Sequence, residues 1–388
     1  MISDPIRLGV AGLGRGFMLT LPSLLADPHT KLVASAAPRE ESRQAFRNQF
    51  GGNAHTTVEE LAKDPDVEAV YIATPHQMHR DHAEILAAAG KHLLVDKPLA
   101  IDMADATAIV DAVERAGIRL VTGPSHSFDQ PVVAARHIID TGRFGTVRMV
   151  HALNYTDFLY RPRRPEELST ASGGGVVFSQ AVHQVDVVRL LMGGTAHAVS
   201  AATGNWDPAR PTEGAYAALL HFDGGRFANL VYSGYAHYDS DVLQDGIGEL
   251  GQPKDMSTYG AARRALASVS SPEEEAALKS KRTFGATEVP AAAPHPEHFG
   301  PVFISCDRAD LRLTGKGIEI WGDSKREFVS VPAIPAPRTE VLKGLYDAIR
   351  FGKAPPQNAR WGRASLEVCH AILESANTNE RILLRHQS

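Results

Sequence analysis

Short apolar runs recur along the first third of the chain, separated by longer stretches whose apolar residues fall on every third or fourth position. Residues 6–11, 31–36, 69–73, 92–95 and 119–122 are rich in Val, Ile, Leu and Ala and read as buried strands, whereas residues 40–50, 80–89 and 103–116 carry the helical period. Boundary residues agree. Asp102 is placed to N-cap the last of these helices and Gly117 to stop it; Gly90 closes the one before. Thr57-Val58-Glu59-Glu60 has the capping-box spacing of a further helix start. Alternating elements of this length predict a parallel doubly wound sheet with its ligand at the carboxyl ends of the strands.

Beyond about residue 124 the pattern changes. A helix over 131–141 leads into strands over 146–155, 196–203, 215–222, 226–233, 302–306, 310–314, 317–322 and 327–331. Asp223-Gly224-Gly225 and Thr314-Gly315-Lys316 read as hairpin turns, so this half is α+β on an open, mostly antiparallel sheet. An insertion over about 234–300 interrupts it, loop-like over 245–259, helical over 261–267 and 272–280, and Ala/Pro-rich over 291–296. Residues 339–351 and 363–376 are amphipathic helices. A chain of 388 residues exceeds one typical core, so two domains are expected, 1–123 and 124–388.

Composition narrows the function classes. The 43% hydrophobic and 22% charged content is that of a globular protein, and a net charge of −5 with scattered Lys and Arg leaves no footprint for nucleic acid. The two cysteines, Cys306 and Cys369, have no metal or redox spacing and read as reduced thiols in a cytoplasmic protein. No apolar run reaches the ~18 residues of a membrane span, and a first strand at Ile6 leaves no room for a signal peptide. His237, His295 and His298 lack ligand spacing, so no metal is expected.

Three stretches carry candidate chemistry. The first strand empties into Gly12-Leu13-Gly14-Arg15-Gly16-Phe17, which places two glycines of the dinucleotide fingerprint of a Rossmann fold, for the tight turn and the approach of backbone to a pyrophosphate. The third fingerprint position is Phe17, with Gly16 one residue early, so the helix must pack differently there; Pro22 should start or kink it. At the end of the second strand Ala37 stands where an acid would hold the ribose hydroxyls of NAD, and Arg39, aimed by Pro38, suits the 2′-phosphate of NADP. The cofactor is therefore NAD or NADP, with NADP accepted at least comparably. Lys97, in His92-Leu93-Leu94-Val95-Asp96-Lys97-Pro98, is kept extended by the following proline and aimed from a strand end. In the second half, Gly173-Gly174-Gly175 precedes a helix that Ser179 is placed to cap, that carries His183 and Asp186 on one face, and that Gly193-Gly194 end; the carboxylate could orient the imidazole. Between them lies a stiff loop with Tyr155, Tyr160, Arg161, Arg163 and Arg164, suited to an anionic substrate, although any one such arginine is more often a solvated turn residue.

These stretches resemble the glucose-fructose oxidoreductase, inositol dehydrogenase and MocA family, whose N-terminal signatures match Gly12-Leu13-Gly14, Ala73-Thr74-Pro75 with His79, and Asp96-Lys97-Pro98. The usual triplet is Glu-Lys-Pro, so Asp96 is a conservative departure. The resemblance implies that Arg15, Thr74, Pro75, His79 and Asp96 join the glycines at the coenzyme, and that Lys97 is catalytic. His183 matches the family's histidine, while its upstream aspartate is replaced by Ser179, leaving Lys97 and His183 as the pair. The family's open sheet pairs subunits, which implies a homo-oligomer, a dimer or tetramer. Residues 154–175 resemble a narrower group, the phthalate 4,5-cis-dihydrodiol dehydrogenases. The implied reaction takes hydride from a secondary alcohol carbon of a cis-dihydrodiol of an aromatic dicarboxylate and yields the dihydroxy aromatic. Competing readings are a sugar or inositol dehydrogenase, which the arginines disfavour, and a non-catalytic coenzyme sensor, which Lys97 and His183 together disfavour.

Overall fold

The computed structural model describes residues 4–258, 260–285, 293–332, 336 and 338–387. Of the expected segments, Tyr259 and residues 291–292 lie outside these. The chain forms two compact units, Met1–Ser125 with Leu278–Ala292 and Pro335–Leu366, and His126–Ala277 with Ala293–Ile334 and Glu367–Ser388. The units are interleaved along the chain, whereas the sequence suggested one cut near residue 123.

The first unit runs β1 (Ile6–Ala11), α1 (Arg15–Ala26), β2 (Thr30–Ala36), α2 (Glu40–Phe50), β3 (Asn53–His55), α3 (Val58–Ala62), β4 (Ala69–Ile72), α4 (His79–Ala88), β5 (His92–Val95), α5 (Met103–Ala116) and β6 (Leu120–Thr122). Its sheet has the order β3-β2-β1-β4-β5-β6, every pair parallel. The order reverses between β1 and β4, which opens a crevice at their carboxyl ends. All four residues of β4 are buried, because a parallel sheet is covered on both faces and tolerates no polar side. Thr57 makes the expected capping box with Glu60, and Asp102 accepts the Asp105 N–H at 2.8 Å to start α5. Two features differ from the sequence reading. Helix α1 starts at Arg15 and runs through Pro22, so of the two expected roles, starting or kinking the helix, Pro22 does not have the first. Strand β3 was not anticipated, since Asn-Ala-His has no strand pattern and is recruited by pairing with β2.

The second unit contains α6 (Gln130–Asp140), β7 (Val147–Tyr155), α7 (Val182–Met192), β8 (Ala196–Gly204), β9 (Ala215–Phe222), β10 (Phe227–Ser233), α8 (Ala261–Ala267), α9 (Pro272–Ser280), β11 (Val302–Cys306), β12 (Ala309–Thr314), β13 (Gly317–Gly322) and β14 (Arg326–Ser330), with α9 ending in the first unit. Then come α10 (Thr339–Phe351), which belongs to the first unit, α11 (Ala359–Thr378), and β15 (Ile382–Leu383). The nine-stranded sheet has the order β14-β13-β12-β11-β7-β10-β9-β8-β15 and is antiparallel except where β7 and β10 run parallel. Helices α6 and α7 cover one face. On the other, register aligns Phe328, Glu319, Arg312, Phe303 and His151 in one row and Arg326, Trp321, Asp310, Ser305, Met149 and Phe227 in the next. Phe328, Phe303, Trp321 and Phe227 are exposed there. Among the described residues no helix is long and apolar enough to cross a membrane.

Candidate active site

In the first unit the turn after β1 is shaped by what cannot fit. Gly12 has φ +94°, and a Cβ there would lie 2.9 Å from the Ala73 carbonyl oxygen. Gly14 caps α1 with extended backbone and has nothing within 4 Å of where its Cβ would be, which leaves room for a diphosphate at a helix N-terminus. A Cβ at Gly16 would lie 2.6 Å from Asp96 Oδ2. Gly16 therefore supplies the close helix-to-strand approach that the fingerprint assigns to its third glycine. Phe17 is freed for the core: it has no exposed surface and meets the Phe284 ring edge-on at 5.3 Å, so it packs rather than lines the coenzyme site. Arg15 is exposed in the first turn.

At the end of β2, Ala37 is buried and donates its N–H to the His55 carbonyl at 3.1 Å. Arg43 Nη1 donates to the Ala37 and Pro38 carbonyls at 2.6 and 2.8 Å. Glu40 is held by Arg47 and Arg43, which keep its carboxyl below its ordinary value. It is thus engaged elsewhere, and Arg39 is exposed beside it.

Behind the ends of β4 and β5 lies a set of hydrogen bonds that fixes Thr74 and Lys97. Thr74 Oγ1 is 3.0 Å from His82 Nδ1. His79 Nε2 is 3.0 Å from the Thr74 carbonyl, and its Nδ1 is 3.1 Å from that of Pro98. Burial pushes His79 below its ordinary pKa, so the neutral ring donates to one of these carbonyls. With no exposed surface, His79 clamps the Thr74 and Pro98 carbonyls from behind. Pro75 leads into the short turn His76–Met78. Asp96 Oδ1 accepts the Lys97 N–H at 2.8 Å, and its Oδ2 accepts the Tyr71 hydroxyl at 3.4 Å. Burial and then the Asp96 charge push Tyr71 well above its usual range, so it remains a donor. Asp96 acts on the backbone that presents Lys97.

In the second unit, α7 is entered through a π-helical turn, Val177–Ala181, whose amides cannot be capped by Ser179 because Ser179 lies within it. The cap comes from far away in sequence: Glu213 Oε1 accepts the Val177 N–H at 3.0 Å, and Thr212 and Thr170 hold the other oxygen. Gly175, at φ +80°, leaves the space that this carboxylate fills, and a Cβ there would overlap it. The glycine triplet thus admits Glu213 under the helix. Gly193, left-handed, ends α7 as expected.

His183 is buried, with its ring centroid 4.6 Å from that of His126 and 4.9 Å from that of Phe299. Asp186 accepts the Ser127 hydroxyl at 2.5 Å. His126 is itself gripped from both sides, with Nδ1 2.6 Å from Asp129 and Nε2 3.5 Å from Glu249. Burial would discharge it, but the two carboxylates prevail and raise it to about 10. Burial would likewise protonate Glu249; the close approach and charge of His126, then the charge of Arg161, lower it to about 2. His298 is locked in place: Nε2 lies 2.9 Å from the Ile247 carbonyl and Nδ1 accepts the Gly300 N–H at 3.1 Å.

The arginine loop divides. Arg163 donates to the Phe158 carbonyl at 2.7 Å and lies 3.5 Å over the Phe158 ring, and burial lowers it to about 10. Arg164 pairs with Glu166 at 3.1 Å. Both contacts help to hold the loop. Arg161 bonds Asp157 at 3.1 Å, and its charge also bears on Glu249. Tyr160 donates to Asp207 at 3.1 Å, and Tyr155 lies 6.5 Å from Tyr238. Sequence reasoning missed His126, Asp129, Glu249 and Phe299. His126 and Asp129 have the same three-residue spacing as His183 and Asp186, which was the available signal; Glu249 had none.

Comparison with known proteins agrees with this architecture. Residues 6–123 match the oxidoreductase family with an NAD-binding Rossmann fold, and residues 132–251 match the GFO/IDH/MocA C-terminal domain. The chain is 46% identical over 376 residues to the 1-carboxy-3-chloro-3,4-dihydroxycyclohexa-1,5-diene dehydrogenase of Comamonas testosteroni, covering 95% of this chain and 94% of that one. A solved structure from Bordetella bronchiseptica RB50 superposes with TM-score 0.93 at 39% identity, covering 98% of this chain and all of that one. At 16% identity, an Agrobacterium radiobacter oxidoreductase in complex with NAD+, L-tartaric acid and magnesium shares the fold, with TM-score 0.73 over 98% of each chain. The chain is an oxidoreductase with an NAD-binding Rossmann domain. It belongs to the Gfo/Idh/MocA family.

Proposed function

We propose that the protein oxidises a cis-dihydrodiol of an aromatic carboxylate or dicarboxylate, such as phthalate, to the dihydroxy aromatic. The observation that carries this reading is the His126 ring, held between Asp129 and Glu249 and 4.6 Å from the ring of His183: a hydroxyl-handling imidazole next to one that two carboxylates favour as a cation, a place for an anion. The Comamonas testosteroni relative, whose name describes a carboxylated dihydroxycyclohexadiene, supports it. The bound coenzyme supplies a hydride acceptor. Lys97 and His183 handle the carbinol proton, the ammonium stabilising the developing alkoxide and the imidazole sharing general-base duty. Loss of hydride and proton leaves a hydroxy-enone that tautomerises to the arene, so no further catalytic group is required. Exposed Phe328, Phe303, Trp321 and Phe227 on the uncovered sheet face support a homo-oligomer formed through it. Two free cysteines suit the cytoplasm.

The test is coenzyme reduction, followed by absorbance, with carboxylated dihydrodiols, uncarboxylated dihydrodiols, inositols and aldoses. Turnover should be confined to, or highest with, the carboxylated diols. Preference for inositols or aldoses would replace this reading with a sugar-type dehydrogenase, and silence on all four, with coenzyme still bound, with a sensor.

A further inference from the structure

Glu249 is an odd neighbour for His126. Asp129 alone, at 2.6 Å and buried, neutralises the imidazolium and fixes its ring through Nδ1. The other nitrogen faces a second carboxylate at 3.5 Å, longer than a formed hydrogen bond, on a side chain that is 32% exposed. Its place in the chain differs too. Glu249 lies in a turn closed by the Gly251 N–H to the Gly248 carbonyl at 2.8 Å and the Gly248 N–H to the Gln252 carbonyl at 2.9 Å. Its backbone carbonyl is held by the His298 N–H at 3.2 Å. The backbone is therefore fixed, while a rotation about the side-chain bonds withdraws the carboxylate without opening the turn. Its surroundings are those that would receive an anionic ligand: an imidazolium 3.5 Å away and, beside that, the His183 ring at 4.6 Å.

We propose that His126 Nε2, with Arg161, is the binding site for the substrate carboxylate, and that Glu249 occupies that site as an internal stand-in which the substrate displaces. This rests on the reading above and assigns its anion site. It transfers the role first given to the three-arginine loop onto one of its members and onto a histidine outside it. The spacing suits the chemistry: two imidazoles 4.6 Å apart can meet a carboxylate and a hydroxyl on one six-membered ring. It also sets a selectivity. A ligand with a carboxylate exchanges one anion for another at His126, whereas a neutral polyol leaves Glu249 where it is and gains nothing there.

The experiment measures binding to the coenzyme-loaded full chain by calorimetry, with benzoate, catechol and 3,4-dihydroxybenzoate as probes, in wild type, Glu249→Gln and Glu249→Ala. Removing a competing, partly screened carboxylate should tighten benzoate and 3,4-dihydroxybenzoate by about three- to tenfold and leave catechol unchanged. Km for a carboxylated dihydrodiol should fall in parallel. His126→Gln should do the reverse, weakening 3,4-dihydroxybenzoate about tenfold or more and catechol little. If both Glu249 variants bind benzoate no more tightly than wild type, or more weakly, the stand-in is overturned. Should wild type oxidise carboxylated dihydrodiols while this happens, only the stand-in fails; should wild type turn over inositols or aldoses instead, the proposed function fails first.

Discussion

The coenzyme half and the substrate half are built on opposite principles. In the first unit the site is made by leaving things out: Gly12, Gly14 and Gly16 exclude side chains so that backbone can approach Ala73, open space and Asp96. Of its polar groups, His79 and Asp96 act on backbone and Tyr71 holds Asp96. In the second unit the site is made by putting things in, with carboxylates gathered around one imidazole from two separate segments, and even the helix cap borrowed from Glu213. A common backbone shape suits a common cofactor, whereas charges gathered in this way can change without altering the fold.

The largest test of this contrast is Lys97→Ala. Turnover should fall roughly 10²-fold or more while the coenzyme dissociation constant, from fluorescence titration, stays near wild type, because Lys97 is presented by the scaffold and is not part of it. A loss concentrated in coenzyme binding would place the lysine with the glycines instead. Glycine replacements set the two halves against each other. Gly175→Ala should cost about 2 kcal/mol or more in chemical denaturation, since a Cβ at φ +80° would overlap Glu213. Gly14→Ala, with nothing within 4 Å of its Cβ, should leave stability within about 0.5 kcal/mol yet weaken coenzyme around tenfold; equal loss of stability in both would erase the distinction.

Coenzyme choice comes next. With Glu40 engaged by Arg43 and Arg47 and no acid at Ala37, wild type should accept NADP at least as well as NAD. Ala37→Asp should move kcat/Km about tenfold or more towards NAD, and Arg39→Ala should reduce use of NADP several-fold. A wild type favouring NAD a hundredfold would mean that another acid serves the ribose. The smallest effect expected is in pH-dependent stability. His126 is raised in the folded state, so its contribution is complete below its ordinary value of 6.5 and is lost as pH rises through about 10. Wild type should therefore exceed His126→Gln in melting temperature most below pH 6.5, with the gap closing towards pH 10; a gap that is flat with pH would mean that His126 is not charged.

How much of this was legible follows the same division. Periodicity and caps marked β1, α2, α5 and β9 because their signals are local, and the glycine turn named its own ligand. Local inference was incomplete where other residues intervened. Ser179 had the right chemistry for a cap, but Glu213 supplied it; Phe17 broke the fingerprint, but Phe284 received it; Arg163 and Arg164 suited an anion, but Phe158 and Glu166 took them. Glu249 was illegible, since nothing in its turn announces a histidine so far back in the chain.

The parallel pairing of β7 with β10 has a consequence for synthesis. The first sheet has all its strands once Thr122 has left the ribosome, but β7, the next strand made, lies between β10 and β11; it has no neighbour until Ser233 emerges and keeps one edge open until Cys306 does. At ~5–20 residues per second the wait from Tyr155 to Cys306 is roughly eight to thirty seconds. For that time a nine-residue strand waits with at least one edge unpaired. A trigger-type holdase, or an early-bound coenzyme that leaves only the second half to manage, would matter most in that window.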